Sequence, residues 1–115
     1  MKKNRSLITV VVKEPGKEPV FRDIPNTLEA FQEAVGGYIE TDHIFSDLVI
    51  ICNEEGLLRG LPYNCQIMGA DFVGTILFLG VRRSCTGVDH FASIPMNQKE
   101  FDWFYQTATE NRRLS

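Results

Sequence analysis

"LITVVVKEPGKEPVFRDIPNTLEAFQEAVGG", residues 7–37, contains both kinds of hydrophobic spacing that decide the fold. Residues 7–12 are rich in β-branched side chains and lack helical spacing, so they predict a strand. Pro15 and Gly16 predict a tight turn. Residues 20–24 alternate apolar and polar side chains, as expected for the second strand of a hairpin with one solvated face.

The spacing then changes to that of a helix. Between residues 28 and 35, the apolar residues recur three and four positions apart, which places them on one helical face. Asn26 is the expected N-cap, and Glu29 can reach back to it in a capping box. Gly36 or Gly37 is expected to end the helix, because glycine adopts the left-handed conformation at little cost.

Three further strands and a second helix complete the pattern. Strands are predicted in residues 38–45, 47–52 and 74–81. The second helix lies within residues 94–113, where Asn97 is the expected N-cap and Glu100 completes a capping box. Its predicted buried stripe consists of Phe101, Phe104, Tyr105 and Ala108, whereas Trp103 points off that stripe. Residues 111–115 are expected to fray.

Together these elements predict a single α+β domain over residues 1–115. Its core is a twisted, mainly antiparallel sheet of four to five strands with two helices, one between strands 2 and 3 and one C-terminal. Three strands are apolar without strict alternation, which indicates that they are covered on both faces. Two short helices can cover only one face of such a sheet, so the other face must be closed by sheet curvature or by a second copy. We therefore expect a homo-oligomer.

Composition excludes several classes of function. A net charge of −3 is far from the basic balance of nucleic-acid-binding proteins, so direct nucleic-acid binding is not expected. The apolar runs are too short for a signal peptide or a membrane helix. Cys52, Cys65 and Cys85 form no C-x-x-C pair and, with the two histidines, have no zinc-site spacing. We expect packed, reduced thiols in a cytoplasmic protein without metal or cofactor.

Polar residues are concentrated in "ICNEEGLLRGLPYN", residues 51–64, and this stretch admits two interpretations. Asn and Gly in "NEEG" are typical of a hairpin turn with solvated glutamates. Alternatively, carboxylates, a guanidinium, a phenol and an amide in a short stretch could line a pocket for a polar ligand. "GGY", residues 36–38, is similarly either a helix C-cap or a bare backbone beside a stacking ring.

A catalytic interpretation has less support. A cysteine–histidine nucleophile pair would use His43 or His90, but no oxyanion motif accompanies any cysteine. No acid–base pair stands at a defined helical spacing. We therefore predict no catalytic residues, and an enzyme is the weakest of the functional hypotheses.

Four segments, "VVVKEPGKEPVFRDI", "LEAFQEAVGGYIE", "ICNEEGLLRGLPYN" and "GTILFLG", occur in an order that resembles the domain of unknown function 3846 family. "FASIPMNQKEFDWF" is similar to that family's closing segment. The resemblance implies a small protein of a phage or mobile element and implies no catalytic residues. The connection "VRRSCTGVDHF" departs from the family pattern, where a more acidic segment is expected. The family's recurrent positions match Gly36, Gly37, Tyr38, Glu40, Asn53, Glu54, Glu55, Gly56, Leu61, Pro62, Asn64, Gly74 and Thr75.

Three functional hypotheses follow. The first is a non-enzymatic binding protein, in its most concrete form an oligomeric anti-defence sponge that sequesters a nucleotide-derived immune signal. The second is a protein–protein interaction module that binds through the uncovered sheet face or Trp103. The third is a small enzyme acting on nucleotides. The predicted ligand-binding residues are Tyr38, Glu40, Asn53, Glu54, Glu55, Arg59, Tyr63 and Asn64.

Overall fold

A computed structural model describes residues 7–83 and 89–110. The predicted frayed end, residues 111–115, lies outside the described residues, as do Cys85 and the centre of the connection that departs from the family pattern. The elements in chain order are β1 (Leu7–Lys13), β2 (Val20–Pro25), α1 (Leu28–Val35), β3 (Ile39–Phe45), β4 (Leu48–Asn53), β5 (Tyr63–Ile67), β6 (Ala70–Val73), β7 (Ile76–Arg83), β8 (Asp89–Ala92) and α2 (Gln98–Glu110).

The main sheet has the strand order β2-β1-β7-β4-β3, and β8 pairs with residues 80–83 of β7, past the residues of β7 that pair with β1. Every pairing between neighbours is antiparallel. The predicted α+β class is therefore confirmed, with α1 between the second and third strands and α2 at the C-terminal side. The five predicted strands are all present. Sequence reasoning missed β8 and the separate two-stranded sheet of β5 and β6, which are short and carry mixed polar residues.

The two helices lie on opposite faces of the main sheet. On one face, Phe31 and Val35 of α1 pack against Val49 and Ile51 of β4. On the other face, Phe101, Phe104 and Ala108 of α2 pack against Leu48, Ile50, Phe78 and the β5–β6 hairpin. The premise that both helices cover one face is wrong, because successive β4 residues alternate between two separately covered cores. Burial of the sheet therefore supplies no reason to expect a second copy of the chain.

The helix ends are set by side-chain caps. Thr27, not the predicted Asn26, is the N-cap of α1, and its Oγ1 accepts a 3.1 Å hydrogen bond from the backbone N–H of Ala30. The Asn26 amide instead donates to the carbonyl of Phe91 at 3.0 Å. Gly36 ends α1 with a φ of 82°, as predicted.

At α2 the capping-box prediction is confirmed. The N–H of Glu100 donates to Asn97 Oδ1 at 2.8 Å, and the N–H of Asn97 donates to Glu100 Oε1 at 2.9 Å. The predicted stripe is also confirmed, because Phe101, Phe104 and Ala108 are buried and Tyr105 is half-buried against the same core. Trp103 is exposed. Among the described residues, neither helix has the length and apolarity needed to cross a membrane.

Residues 54–62 connect the main sheet to the small sheet. β5 pairs with β6 and not with β4, so the interpretation of "NEEG" as the tip of a hairpin is wrong. The chain folds into consecutive turns closed by local backbone bonds, including Arg59 N–H to Glu55 O at 2.9 Å and Leu61 N–H to Gly56 O at 3.0 Å. This connection carries Glu54, Glu55 and Arg59, three of the eight residues predicted to bind a ligand.

Candidate functional site

Asn53 joins the end of β4 to the end of α1. Its side chain is buried, with Oδ1 accepting from the N–H of Glu55 at 2.7 Å and Nδ2 donating to the carbonyl of Val35 at 3.1 Å. The next N–H, that of Glu54, donates to Tyr38 O at 2.8 Å. A donor and an acceptor of the Asn53 amide are thus already used within the fold.

Gly37 permits a close approach between α1 and the 54–62 connection. A Cβ at this position would lie 2.9 Å from Asn53 Nδ2 and 3.0 Å from Arg59 Nη1. Arg59 Nη1 itself donates to the carbonyl of Gly36 at 3.1 Å. The bare backbone of Gly36 and Gly37 therefore accommodates two side chains of the same molecule, so no bound ligand is needed to explain it.

Asn64 is bonded to a buried lysine on β1. Lys13 Nζ donates to Asn64 Oδ1 at 2.9 Å and to the carbonyl of Glu14 at 2.8 Å. Asn64 Nδ2 donates to the carbonyls of Lys13 and Gly74 at 2.8 and 2.7 Å. This network fastens β5 to β1 and to the start of β7, and it satisfies an ammonium group that burial would otherwise make costly.

The structure distributes the eight predicted site residues among several places. Tyr38, Glu55 and Arg59 line a cleft of about 340 Å³ beside the end of α1. Three others, Glu40, Asn53 and Glu54, line a groove of about 450 Å³ next to it. Tyr63 lines a separate depression, and its hydroxyl donates to Asp71 Oδ1 at 3.0 Å. Asn64 is bonded to Lys13. A single pocket containing all eight does not form.

The groove that contains Glu40 is acidic, and we call it the acidic groove. Its carboxylates are Glu40, Asp42, Glu54 and Asp71, set around Cys52 and Phe72. Burial, together with the nearby carboxylates of Glu40 and Asp42, raises the pKa of the Cys52 thiol to about 11. A negative field of this kind opposes a phosphate and favours a cationic group.

Neither described cysteine has the lowered pKa that makes a thiol a good nucleophile. Burial raises the pKa of the Cys65 thiol, an effect that Lys13 and a hydrogen bond with Tyr105 oppose. Cys52 is raised as well, so both are protonated thiols at neutral pH. Over residues 7–83 and 89–110, no group of three or more His, Cys, Asp or Glu side chains could hold a metal ion.

An apolar surface that sequence reasoning did not predict lies at the other end of the α2 face. Two shallow depressions of about 250 and 640 Å³ adjoin there and share three aromatic residues. Trp103 is 71% exposed, Met68 50% and Phe45 45%, which are high values for large apolar side chains. We define the apolar surface by Phe45, Met68, Met96, Trp103 and Phe104.

Local structure explains how these side chains come together. A β-bulge between His43 and Phe45 turns Phe45 toward α2, where its ring lies 5.9 Å from that of Phe104. Met68 and Gly69 form the two-residue turn of the β5–β6 hairpin, with φ of 50° and 89°. The N–H of Met68 donates to the carbonyl of Ala108 at 3.0 Å, which fixes the turn against α2.

Only one member of the apolar surface carried a signal in the sequence. Trp103 lies off the buried stripe of its own helix, and helical spacing alone indicates this. Phe45 and Met68 lie in segments distant in sequence, and their meeting with Trp103 depends on the bulge and on the small hairpin.

Comparison with known proteins identifies the family of this chain. No curated protein and no solved structure matches the chain significantly. A model of the family described as "Domain of unknown function (DUF3846)" matches residues 8–107. The match spans the five predicted strands of the main sheet except Leu7, both buried helix faces except Ala108, and the whole apolar surface. The chain therefore belongs to the DUF3846 family of domains of unknown function.

Proposed function

We propose that this chain is a non-enzymatic binding protein that recognises another protein through the apolar surface. The main observation in support is that Trp103 is 71% exposed. Its side chain lines two adjoining depressions together with Phe45, and Met68 lines one of them. Tryptophan, methionine and phenylalanine are enriched at protein interfaces and depleted from ordinary solvated surfaces. The expected partner is a host or phage protein, in keeping with the resemblance to phage and mobile-element proteins.

The conformation of Met68 supports a binding role for its side chain. Among the described residues, Met68 is the non-glycine residue with positive φ. The first position of such a turn normally holds Asn, Asp or Gly, because other side chains are strained there. A strained, half-exposed methionine is better explained by contact with a partner than by the needs of the turn.

The polar and thiol groups elsewhere in the molecule give less support to a competing function. Two of the eight residues first assigned to a ligand, Asn53 and Asn64, have their amides engaged in the fold. The described cysteine thiols have raised pKa values. Recognition through packing needs neither a nucleophile nor a cofactor, which fits a non-enzymatic protein.

A second candidate function is nucleotide binding in the cleft beside the end of α1, with fewer residues than the sequence predicted. Tyr38, Gln32 and Arg59 line the cleft beside the end of α1, and Tyr38 is 64% exposed. An aromatic ring, an amide and a guanidinium group together suit a nucleobase with an attached phosphate. The cleft is adjacent to the C-terminal end of α1, however, where helix carbonyls oppose an anion.

Affinity capture from host lysate tests the first function, with Trp103→Ala and Leu28→Ala as paired baits. Both remove a large exposed apolar side chain from a helix, but Leu28 lies on α1, away from the apolar surface. We expect a partner retained by the wild type and by Leu28→Ala and lost with Trp103→Ala, and the purified partner should reproduce that difference. Equal capture by both variants would overturn the proposal.

Calorimetry with cyclic nucleotides and ADP-ribose derivatives tests the second. Binding that is lost with Tyr38→Ala and retained with Tyr63→Ala would place a ligand in the cleft beside α1. Absence of heat from every compound would remove the nucleotide function.

A further inference from the structure

We propose that the partner presents an extended, basic segment that pairs with the open edge of β3 while an apolar side chain of the same segment packs on the apolar surface. This inference rests on the proposed function and specifies the chemistry of the partner. Three features of the molecule carry it: an open strand edge, the acidic groove along that edge, and the apolar surface at its end.

β3 is an open edge of the main sheet. It ends the strand order, and in the described part of the chain it pairs with β4 alone. The N–H of Glu54 donates to Tyr38 O, which makes residues 38 and 54 a hydrogen-bonded pair. Because such pairs alternate along antiparallel strands, the backbone groups of Ile39, Thr41 and His43 face outward. They form a run to which another strand can bond.

The side chains along this edge define what an added strand must offer. Glu40 and Asp42 lie opposite Cys52 and Ile50, which pack in the core under α2. The acids therefore lie on the same face as Phe45, which is about 16 Å from Glu40 at 3.3 Å per strand residue. Residues of an added strand beside the two acids are two positions apart and should be lysine or arginine. A residue further along reaches the apolar surface.

The same charges exclude the other occupants of the edge. A second copy of this chain pairing through β3 would bring its own Glu40 and Asp42 close to those of the first, and like charges on neighbouring strands are destabilising. A nucleic acid would place phosphates against the four carboxylates of the acidic groove. Acidic side chains on an edge are a known protection against unwanted pairing. Here they exclude self-association and leave a basic segment as the fitting partner.

A display library of random peptides about ten residues long tests the inference, because this length spans a typical strand with some overhang. The baits are the wild type, Trp103→Ala, and the double variants Glu40→Lys/Asp42→Lys and Glu29→Lys/Glu33→Lys. The last is the control, since it makes the same change of charge on exposed side chains of α1. We expect the wild type and the control to select Lys or Arg two positions apart followed by an apolar residue, and the β3 variant to select Asp or Glu there.

Backbone pairing is tested separately with N-methylated versions of a selected peptide. Methylation of alternate residues that face β3 should weaken binding at least tenfold, whereas methylation of the intervening residues should change it little, because only the former donate to the edge. Both preparations carry the same number of added methyl groups, so the comparison isolates the hydrogen bonds.

The outcomes separate this inference from the proposed function. Selection of apolar peptides without charge preference, with loss only in Trp103→Ala, would overturn edge pairing while leaving the apolar surface as a binding site. Selection unaffected by Trp103→Ala would overturn the proposed function as well. Equal sensitivity to both patterns of N-methylation would overturn the pairing even if basic peptides are selected.

Discussion

Residues 53–64 and the apolar surface use their side chains in opposite ways. The first region is polar in sequence, yet the amides of Asn53 and Asn64 and one N–H of Arg59 bond to the protein itself. The second region contains residues typical of a core, yet Trp103 and Met68 remain largely exposed. The region that looked like a binding site holds the fold together, and the region that looked like core material is accessible.

The difference shows that a polar side chain is not necessarily available to bind a ligand. A polar side chain in a loop contributes to binding only if its hydrogen-bonding groups are not already used, and a connection such as residues 54–62 needs many of its own. An apolar side chain left in water costs free energy, so a cluster of them calls for an explanation. The following substitutions test this contrast by stability and binding, beginning with the largest expected effect.

Two aromatic residues of α2 give the largest contrast. Phe101 is fully buried and contacts Phe78, with ring centroids 5.1 Å apart, whereas Trp103 is 71% exposed two positions later. We expect Phe101→Ala to lower the free energy of unfolding by about 3–5 kcal/mol. Trp103→Ala should change it by less than about 0.5 kcal/mol. Urea denaturation of both variants measures the difference, and a comparable loss in both would show that Trp103 belongs to the core.

The network of Asn64 and Lys13 gives the next largest effect. Asn64→Leu keeps a similar volume but removes one hydrogen bond to Lys13 Nζ and two to backbone carbonyls. We expect a loss of about 3 kcal/mol in the free energy of unfolding, because a buried ammonium and two carbonyls lose partners.

The double variant Lys13→Met/Asn64→Leu is the control for that loss. It removes the ammonium group that loses its Asn64 partner in the single variant. We expect its free energy of unfolding to be higher than that of Asn64→Leu by about 1 kcal/mol or more. If Asn64→Leu alone costs less than about 1 kcal/mol, Asn64 is not a structural residue and its assignment to a ligand would regain its basis.

Asn53 and Glu54 are adjacent in sequence, but only the Asn53 side chain is buried and hydrogen-bonded within the fold. We expect Asn53→Ala to lower the free energy of unfolding by about 2 kcal/mol, since the carbonyl of Val35 and the N–H of Glu55 both lose a buried partner. Glu54→Ala should stay within about 0.5 kcal/mol, because its side chain is exposed. Thermal unfolding compares them. Equal losses would mean that the glutamate side chain has a structural role that its exposure conceals.

Much of the architecture was predictable because hydrophobic spacing is a local property. The strands in residues 7–12 and 47–52 follow from short apolar, β-branched runs without helical spacing, and the stripe of α2 follows from the helical period of 3.6. The face that each helix covers is not local, since it depends on how α1 and α2 cross the sheet. That is why the expectation of two helices on one face failed, and the argument for an oligomer failed with it.

The candidate site was predictable only in part for a related reason. Side-chain chemistry can be read from the sequence, but the use of a side chain by the fold cannot. Thr27 is the N-cap in place of Asn26, and the Asn26 amide instead donates a hydrogen bond to the carbonyl of Phe91, a residue distant in sequence. The apolar surface likewise depends on a bulge at Phe45 and a turn at Met68, which short and irregular segments do not reveal.

Met68→Asn is the smallest and sharpest test of the contrast. Asparagine tolerates positive φ and is favoured at this position of a two-residue hairpin turn, so the strain that Met68 carries should be relieved. We expect the free energy of unfolding to rise by about 0.5–1 kcal/mol, after the loss of some apolar contact is deducted. Binding of the partner or of a selected peptide should weaken.

Met96→Asn makes the same chemical change on the same surface, at a position without positive φ. It should weaken binding too, but with no gain in stability. If Met68→Asn lowers both stability and affinity, Met68 is simply an underpacked core residue. If it raises stability and leaves affinity unchanged, the strain at this turn has no binding role. Only a gain in stability coupled to a loss of affinity shows that the methionine is held in a costly conformation for the sake of contact.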